Sequence, residues 1–124
     1  MLSDRYKVFQ VAPLGYGYSE RVPGYAGELL HDQILAVLDR HDVERFVVWG
    51  YSAGGAMTLS IARGTQRAAG LVCGGFAPDF ITPGIMRQMD RRLPPDHAAR
   101  SLWWWHDAFD WSDEVSKMSC ARLF

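Results

Sequence analysis

The feature that most constrains the fold is a serine placed between two glycines, directly after an apolar run. Residues 46–57 read FVVWGYSAGGAM, so Gly50 stands two residues before Ser52 and Gly54 two residues after it. An apolar run followed by small residues is typical of a strand that turns sharply into a helix. A serine at the apex of such a turn is forced into a sparsely populated backbone conformation, and side chains at positions 50 and 54 are expected to collide. Glycine at both positions removes the expected clashes.

This arrangement predicts that Ser52 is a nucleophile. At the start of the following helix, the amide of Ala53 is expected to point to the place where the oxyanion of a tetrahedral intermediate forms. A serine nucleophile beside an oxyanion donor is typical of reactions that form an acyl-enzyme intermediate. The alternative is a glycine-rich strand-to-helix turn in which the serine only caps the helix.

Hydrophobic periodicity predicts an α/β fold for the first 78 residues. Short runs of apolar, aromatic and β-branched residues predict three strands: Tyr6–Val11, Phe46–Trp49 (covered on both faces) and Ala69–Cys73. Apolar residues at helical spacing predict two helices: Tyr25–His41, with a stripe of Leu30, Ile34, Val37 and Leu38, and Ala56–Arg63. Gly64 is expected to end the second helix in the left-handed conformation. Short connections between these elements imply a parallel sheet with right-handed crossovers.

The character of the sequence changes after Pro78. Residues 79–118 contain most of the tryptophans and no strand pattern, which predicts a helical insertion over the carboxyl edge of the sheet. Ser112, followed by two acidic residues, is a helix-start signal within it. The side chains of Trp103–Trp105 cannot all face one way on a helix, so at least one is expected to be exposed or to line an apolar acyl pocket. Packing between the insertion and the sheet is the alternative.

Composition excludes several other classes of function. A net charge of −1 gives no broad field for nucleic acid or an anionic membrane, and no apolar run approaches the roughly 18 residues that span a bilayer. Two cysteines without a CxxC pair favour a reducing, cytoplasmic location over a disulfide framework and give little support to a metal site. We therefore expect no metal. The acyl-enzyme chemistry predicted for Ser52 adds the expectation of a small-molecule substrate and no cofactor, and the oligomeric state is left open.

The segment Gly50–Gly55 resembles the nucleophile elbow of the α/β-hydrolase fold family. Leu14–Ser19 is similar to the loop after that family's fourth strand, and Leu71–Gly75 to its sixth strand. The family usually has aspartate where Ala12 stands, a departure that concerns the geometry of the loop.

This resemblance, which covers about the first 78 residues, implies a domain organisation. Residues 1–78 are expected to form an α/β-hydrolase core, residues 79–118 a helical cap or insertion, and residues 119–124 the start of the next core strand. The chain is then expected to be the central fragment of a longer enzyme, with the triad histidine outside it.

The family's triad runs in the order serine, acid, histidine. Asp79 is the candidate acid, with a cap-entry turn as the alternative explanation of that residue. His97 and His106 lie in the insertion, where packing on a helix face is the alternative to a role as base. The resemblance implies an esterase-like serine hydrolase acting on esters or related acyl or carbon–carbon bonds. An acyltransferase of the same fold and a catalytically silent, hydrolase-like binding domain remain open.

Overall fold

A computed structural model describes residues 2–21, 27–75, 88, 91–92, 94, 111–118 and 121–123. The helices in these ranges are α1 (Gly27–Arg40), α2 (Ala53–Arg63) and α3 (Trp111–Lys117), with a short 3-10 turn at Leu2–Asp4. The strands are β1 (Phe46–Tyr51), β2 (Ala68–Gly74) and β3 (Ala121–Leu123). None of the helices described here has both the length and the apolar character that a membrane crossing requires.

The three described strands form one parallel sheet in the order β1-β2-β3. β1 pairs with β2 along its whole length, and β3 pairs with Gly70–Val72 on the other edge of β2. Since β1, α2 and β2 follow one another in the chain, α2 is the crossover between two adjacent parallel strands. The predicted α/β class with a parallel sheet is confirmed, and β3 falls within residues 119–124, where a strand start is expected.

A hydrophobic core cluster joins the helices to the sheet. Its buried members come from α1, α2 and β2: Leu30, Ala56, Leu59, Ala62, Ala68, Leu71 and Cys73. Val115 of α3 packs against this cluster from the C-terminal part of the chain. Full burial of a leucine stabilises a fold by about 1.5–3 kcal/mol, so Leu59 and Leu71, which are completely enclosed, fix α2 firmly to β2.

Among the described residues, only one face of β1 packs against the core cluster. Phe46 and Val48 pack against the core cluster, whereas Val47 and Trp49 are 63% and 67% exposed. The expectation that β1 is covered on both faces is wrong, because α1, α2 and α3 all contribute to the cluster on the Val48 side. An apolar run does not by itself say that both of its faces have neighbours.

The strand predicted at Tyr6–Val11 is not formed. These residues have no strand pairing, and Val8 is exposed. Phe9 instead stacks at a tilt against the ring of His41, with ring centroids 5.0 Å apart. Side-chain preference for strands acts through pairing and packing with neighbours, and this segment has no ladder partner among the described residues.

The end of α2 also differs from expectation. Gly64 has φ −78° and ψ −3°, so it ends the helix in a right-handed conformation and not in the predicted left-handed one. A Cβ at this position would lie 2.5 Å from Nε2 of His31. The position therefore suits glycine because the His31 ring of α1 approaches the backbone closely.

Candidate functional site

Ser52 occupies the single position between β1 and α2, at the carboxyl end of the strand. Its backbone has φ 53° and ψ −120°, a pair that glycine takes at the first central position of a type II′ turn. A residue with a side chain pays about 1–3 kcal/mol in such a conformation. The carboxyl ends of strands in open α/β sheets are where ligands usually bind, so the strain lies at a place suited to function.

The side chain of Ser52 does not cap the helix that follows it. A capping serine accepts a hydrogen bond from an amide in the first turn, but Ser52 makes no such bond and is exposed. The interpretation of Ser52 as a simple helix cap is therefore wrong. Its hydroxyl is available at the surface, at the apex of a strained turn.

Gly50 is required by close packing beneath this turn. A Cβ built at residue 50 would lie 2.7 Å from Cγ2 of Thr58 and closer still to the carbonyl oxygen of Gly54, well inside the 3.0 Å that real Cβ atoms respect. The predicted steric need for glycine at position 50 is confirmed.

Gly54 plays a different part from the one expected. A Cβ at this position meets no atom within 4 Å. The expected clash of a side chain at Gly54 is wrong, because this residue contributes its backbone carbonyl to the crowding while its own Cβ direction leads into open space. The collision predicted between two side chains is thus a collision between the Gly50 position and the Gly54 backbone.

Two backbone hydrogen bonds hold Ser52 in its conformation. Its amide donates to the carbonyl of Gly74 over 2.8 Å, and its carbonyl accepts from the amide of Gly55, also over 2.8 Å. The ring of Tyr51 lies over the end of β2: a Cβ at Gly75, where φ is +63°, would be 2.8 Å from Cε2 of that ring. The ends of β1 and β2 and the first turn of α2 are thereby joined around Ser52.

Ala53, directly after Ser52, is the first residue of α2. Its amide is one of the four N–H groups at a helix start that have no acceptor inside the helix, and the helix start carries roughly half a positive charge. Ala53 is exposed, like Ser52. An amide at a helix start, next to Ser52, can stabilise a negative charge that lies close to it.

A buried polar pair, Thr58 and Cys73, lies beneath the turn. Oγ1 of Thr58 donates to the carbonyl of Gly55 over 2.7 Å and lies 3.3 Å from Sγ of Cys73. Burial raises the pKa of the Cys73 thiol, against an opposing effect of the Thr58 hydrogen bond. Cys73 therefore stays protonated at neutral pH. The sequence signal for Thr58 is a polar residue on the buried face of α2.

Gln33 of α1 fixes the loop at residues 14–19, a role that the sequence did not suggest. Oε1 of Gln33 accepts from the amide of Leu14 over 2.9 Å, and its Nε2 donates to the carbonyl of Ala12 over 3.4 Å. The hydroxyl of Ser19 donates to the same carbonyl over 2.7 Å. The Ala12 position therefore keeps an ordered loop through its backbone, without an aspartate side chain.

The other candidate site residues lie outside the described residues. These are Asp79, His97, His106 and Trp103–Trp105. Their roles as acid, base or pocket wall stay predictions. Within the described part of the chain, no side chain forms a hydrogen bond with the Ser52 hydroxyl.

The elbow segment, residues 50–55, is thus the part of the chain with the most specific geometry. It combines a strained serine, a hydroxyl that does not cap the helix and the first amide of α2. No protein-family model, no curated protein and no solved structure matches the chain in comparisons with known proteins.

Proposed function

We propose that this protein is an α/β-fold serine hydrolase that forms an acyl-enzyme on Ser52. Its substrates would be small molecules with an ester or a related acyl or carbon–carbon bond. The observation that carries the proposal is the backbone of Ser52, held at φ 53° and ψ −120° with its hydroxyl exposed and uncapped. A strained backbone of this kind persists where many surrounding contacts hold it in place, and such places cluster at functional sites.

The chemistry follows from the groups around this serine. Oγ of Ser52 attacks the carbonyl carbon of the substrate and loses its proton to a base, while the carbonyl oxygen becomes an oxyanion beside the amide of Ala53. Collapse of this intermediate expels the alcohol, which takes a proton, and leaves the acyl group on Oγ. Water then attacks the acyl-enzyme, releases the acid and restores the serine.

The base is the component that the described residues do not supply. A serine hydroxyl stays protonated near neutral pH and is a weak nucleophile without one. Asp79 remains our candidate for the acid that orients a histidine base. With a histidine base, the reaction rate would rise with pH as the histidine loses its proton, for which the ordinary pKa is about 6.5.

Two other functions share parts of this site. An acyltransferase would form the same acyl-enzyme and pass the acyl group to an alcohol or thiol in place of water. A catalytically silent binding domain would keep the fold without acylation of Ser52. We place the protein in the cytoplasm, since a free thiol such as Cys73 suits a reducing compartment.

Labelling with a fluorophosphonate, read by peptide mass spectrometry, tests the proposal. In the enzyme with its base present, we expect modification at Ser52, and Ser52→Ala should lose that modification. Ser60→Ala is the matched control, because Ser60 is a half-buried serine of the same helix, and its loss should leave labelling unchanged. Labelling of Ser52 no faster than of Ser60 would contradict the proposal and favour the silent binding domain.

A further inference from the structure

The strained conformation of Ser52 needs support from residues that the reaction itself does not use. Two glycines, Gly54 and Gly55, lie in the first turn of α2, and each is about 1 kcal/mol less favourable in a helix than alanine. The amide that holds the Ser52 carbonyl belongs to Gly55. The first turn of α2 must therefore be fixed by contacts from outside its own backbone.

Thr58 touches both sides of the elbow segment. Its hydroxyl donates to the carbonyl of Gly55 over 2.7 Å, on the helix side of the turn. Its methyl group Cγ2 lies 2.7 Å from where a Cβ of Gly50 would be, on the strand side. Thr58 is 4% exposed, so neither contact is weakened by solvent.

Cys73 links this threonine back to the sheet. Its Sγ lies 3.3 Å from Oγ1 of Thr58 and 3.6 Å from the carbonyl oxygen of Gly55. The next residue, Gly74, accepts the hydrogen bond from the Ser52 amide. The contacts thus close a ring: Ser52 to Gly74, along the chain to Cys73, across to Thr58, on to Gly55 and back to Ser52.

We propose that Thr58 is a positioning residue for Ser52, holding Gly55 through its hydroxyl so that the strained serine keeps its reactive orientation. The inference rests on the proposed function for its effect on reaction rate. Its effect on the backbone of Ser52 can be measured whether or not Ser52 reacts.

Two substitutions separate the two contacts of Thr58. Thr58→Val keeps a methyl group against Gly50 and removes the hydroxyl, whereas Thr58→Ser keeps the hydroxyl and removes the methyl. Ser60→Ala removes a hydroxyl from the same helix at a distance from the turn and serves as the control.

The first measurement is the rate of fluorophosphonate labelling at Ser52. Loss of one buried hydrogen bond corresponds to a factor of about ten, so we expect labelling of Thr58→Val to be slower by about tenfold. Labelling of Thr58→Ser should stay within about threefold of the unchanged protein. The final labelled fraction should be the same in all variants. A purely structural role would slow labelling only in proportion to the unfolded fraction, which urea unfolding measures. A slowing of Thr58→Val no larger than its unfolded fraction explains would overturn the proposal.

The second measurement is the backbone NMR spectrum. We expect Thr58→Val to shift the Ser52 and Gly55 resonances and to speed exchange of the Gly55 amide hydrogen, with Thr58→Ser and Ser60→Ala unchanged. Unaltered Ser52 and Gly55 resonances in Thr58→Val would overturn the positioning role. If Ser52 is never labelled, the proposed function fails, and the NMR comparison alone decides whether Thr58 holds the turn.

Discussion

Alanine at position 50 is expected to destabilise the protein strongly, whereas alanine at position 54 is expected to leave it as stable or slightly more stable. The two glycines flank Ser52 symmetrically in the sequence but have different surroundings in the fold. A Cβ at Gly50 collides with the Gly54 carbonyl and with Thr58, while a Cβ at Gly54 meets nothing within 4 Å.

The size of the effect at Gly50 follows from what the new methyl group meets. The Gly54 carbonyl belongs to the first turn of α2, and Thr58 is 4% exposed, so neither has room to move away. Overpacking of a tight site costs about 1–3 kcal/mol. Because the new methyl group meets backbone atoms, we expect Gly50→Ala to lose unfolding free energy at the upper end of this range, about 3 kcal/mol. This corresponds to roughly 150-fold in the folding equilibrium.

The expected effect at Gly54 has the opposite sign. Gly54 lies within α2 and is not among the described glycines with positive φ. Alanine at position 54 lowers the conformational entropy of the unfolded chain and favours the helix. Both effects stabilise the folded protein, together by up to about 1 kcal/mol.

Urea unfolding followed by far-UV circular dichroism measures both variants against the unchanged protein. With a denaturant slope of about 1–3 kcal/mol per molar, Gly50→Ala should lower the unfolding midpoint by about 1 M or more. The midpoint of Gly54→Ala should stay or rise, at an unchanged slope. Equal destabilisation by the two substitutions, or a Gly50→Ala protein as stable as the parent, would refute the steric account of the turn.

Two further predictions concern titration. Burial raises the pKa of Cys73 in the folded protein above its ordinary value of 9.0. The protonated thiol therefore stabilises the fold fully below pH 9.0, and this stabilisation is lost as the pH rises through the folded pKa. Above pH 9.0, the unfolding free energy should fall more steeply in the parent than in Cys73→Ala. Hydrolysis of p-nitrophenyl butyrate by the purified chain is expected to equal that of Ser52→Ala, since the proposed site has no assigned base. Turnover well above that variant, with a rate that levels off above about pH 7, would instead identify His97 or His106 as the base.

The strand-to-helix step around Ser52 could be predicted because its constraints are local. An apolar run, a glycine two residues before the serine and a run of small residues leave few conformations for a turn at residue 52. The observed φ of 53° at Ser52 and the collision at Gly50 both agree with that reasoning. The parallel pairing of β1 and β2 follows from the same short connection, since α2 alone links them.

The parts that could not be predicted depend on contacts between distant residues. Tyr6–Val11 has the composition of a strand, but a strand also needs a neighbour with which to pair. Gln33 acts through the carbonyl of Ala12 and Thr58 contacts Cys73 of β2, and nothing in their sequence positions marks those partners. The open space beside Gly54 is likewise a property of the folded chain.

Ser52→Gly separates a serine kept for reaction from a serine kept for stability. Glycine adopts φ 53° without the cost of about 1–3 kcal/mol that a side chain incurs. Glycine also raises the conformational entropy of the unfolded chain, which lowers the unfolding free energy by about 0.5–1 kcal/mol. The net gain in unfolding free energy should therefore be about 0.5–2 kcal/mol. Ser52→Ala keeps the strained Cβ and loses only an uncapped hydroxyl, so its stability should match the parent's within about 0.5 kcal/mol. Both variants should lose labelling at residue 52, but only glycine should raise the urea midpoint. A Ser52→Gly protein no more stable than Ser52→Ala would mean that the turn carries no strain at this residue, and the main physical support for a nucleophile at Ser52 would be lost.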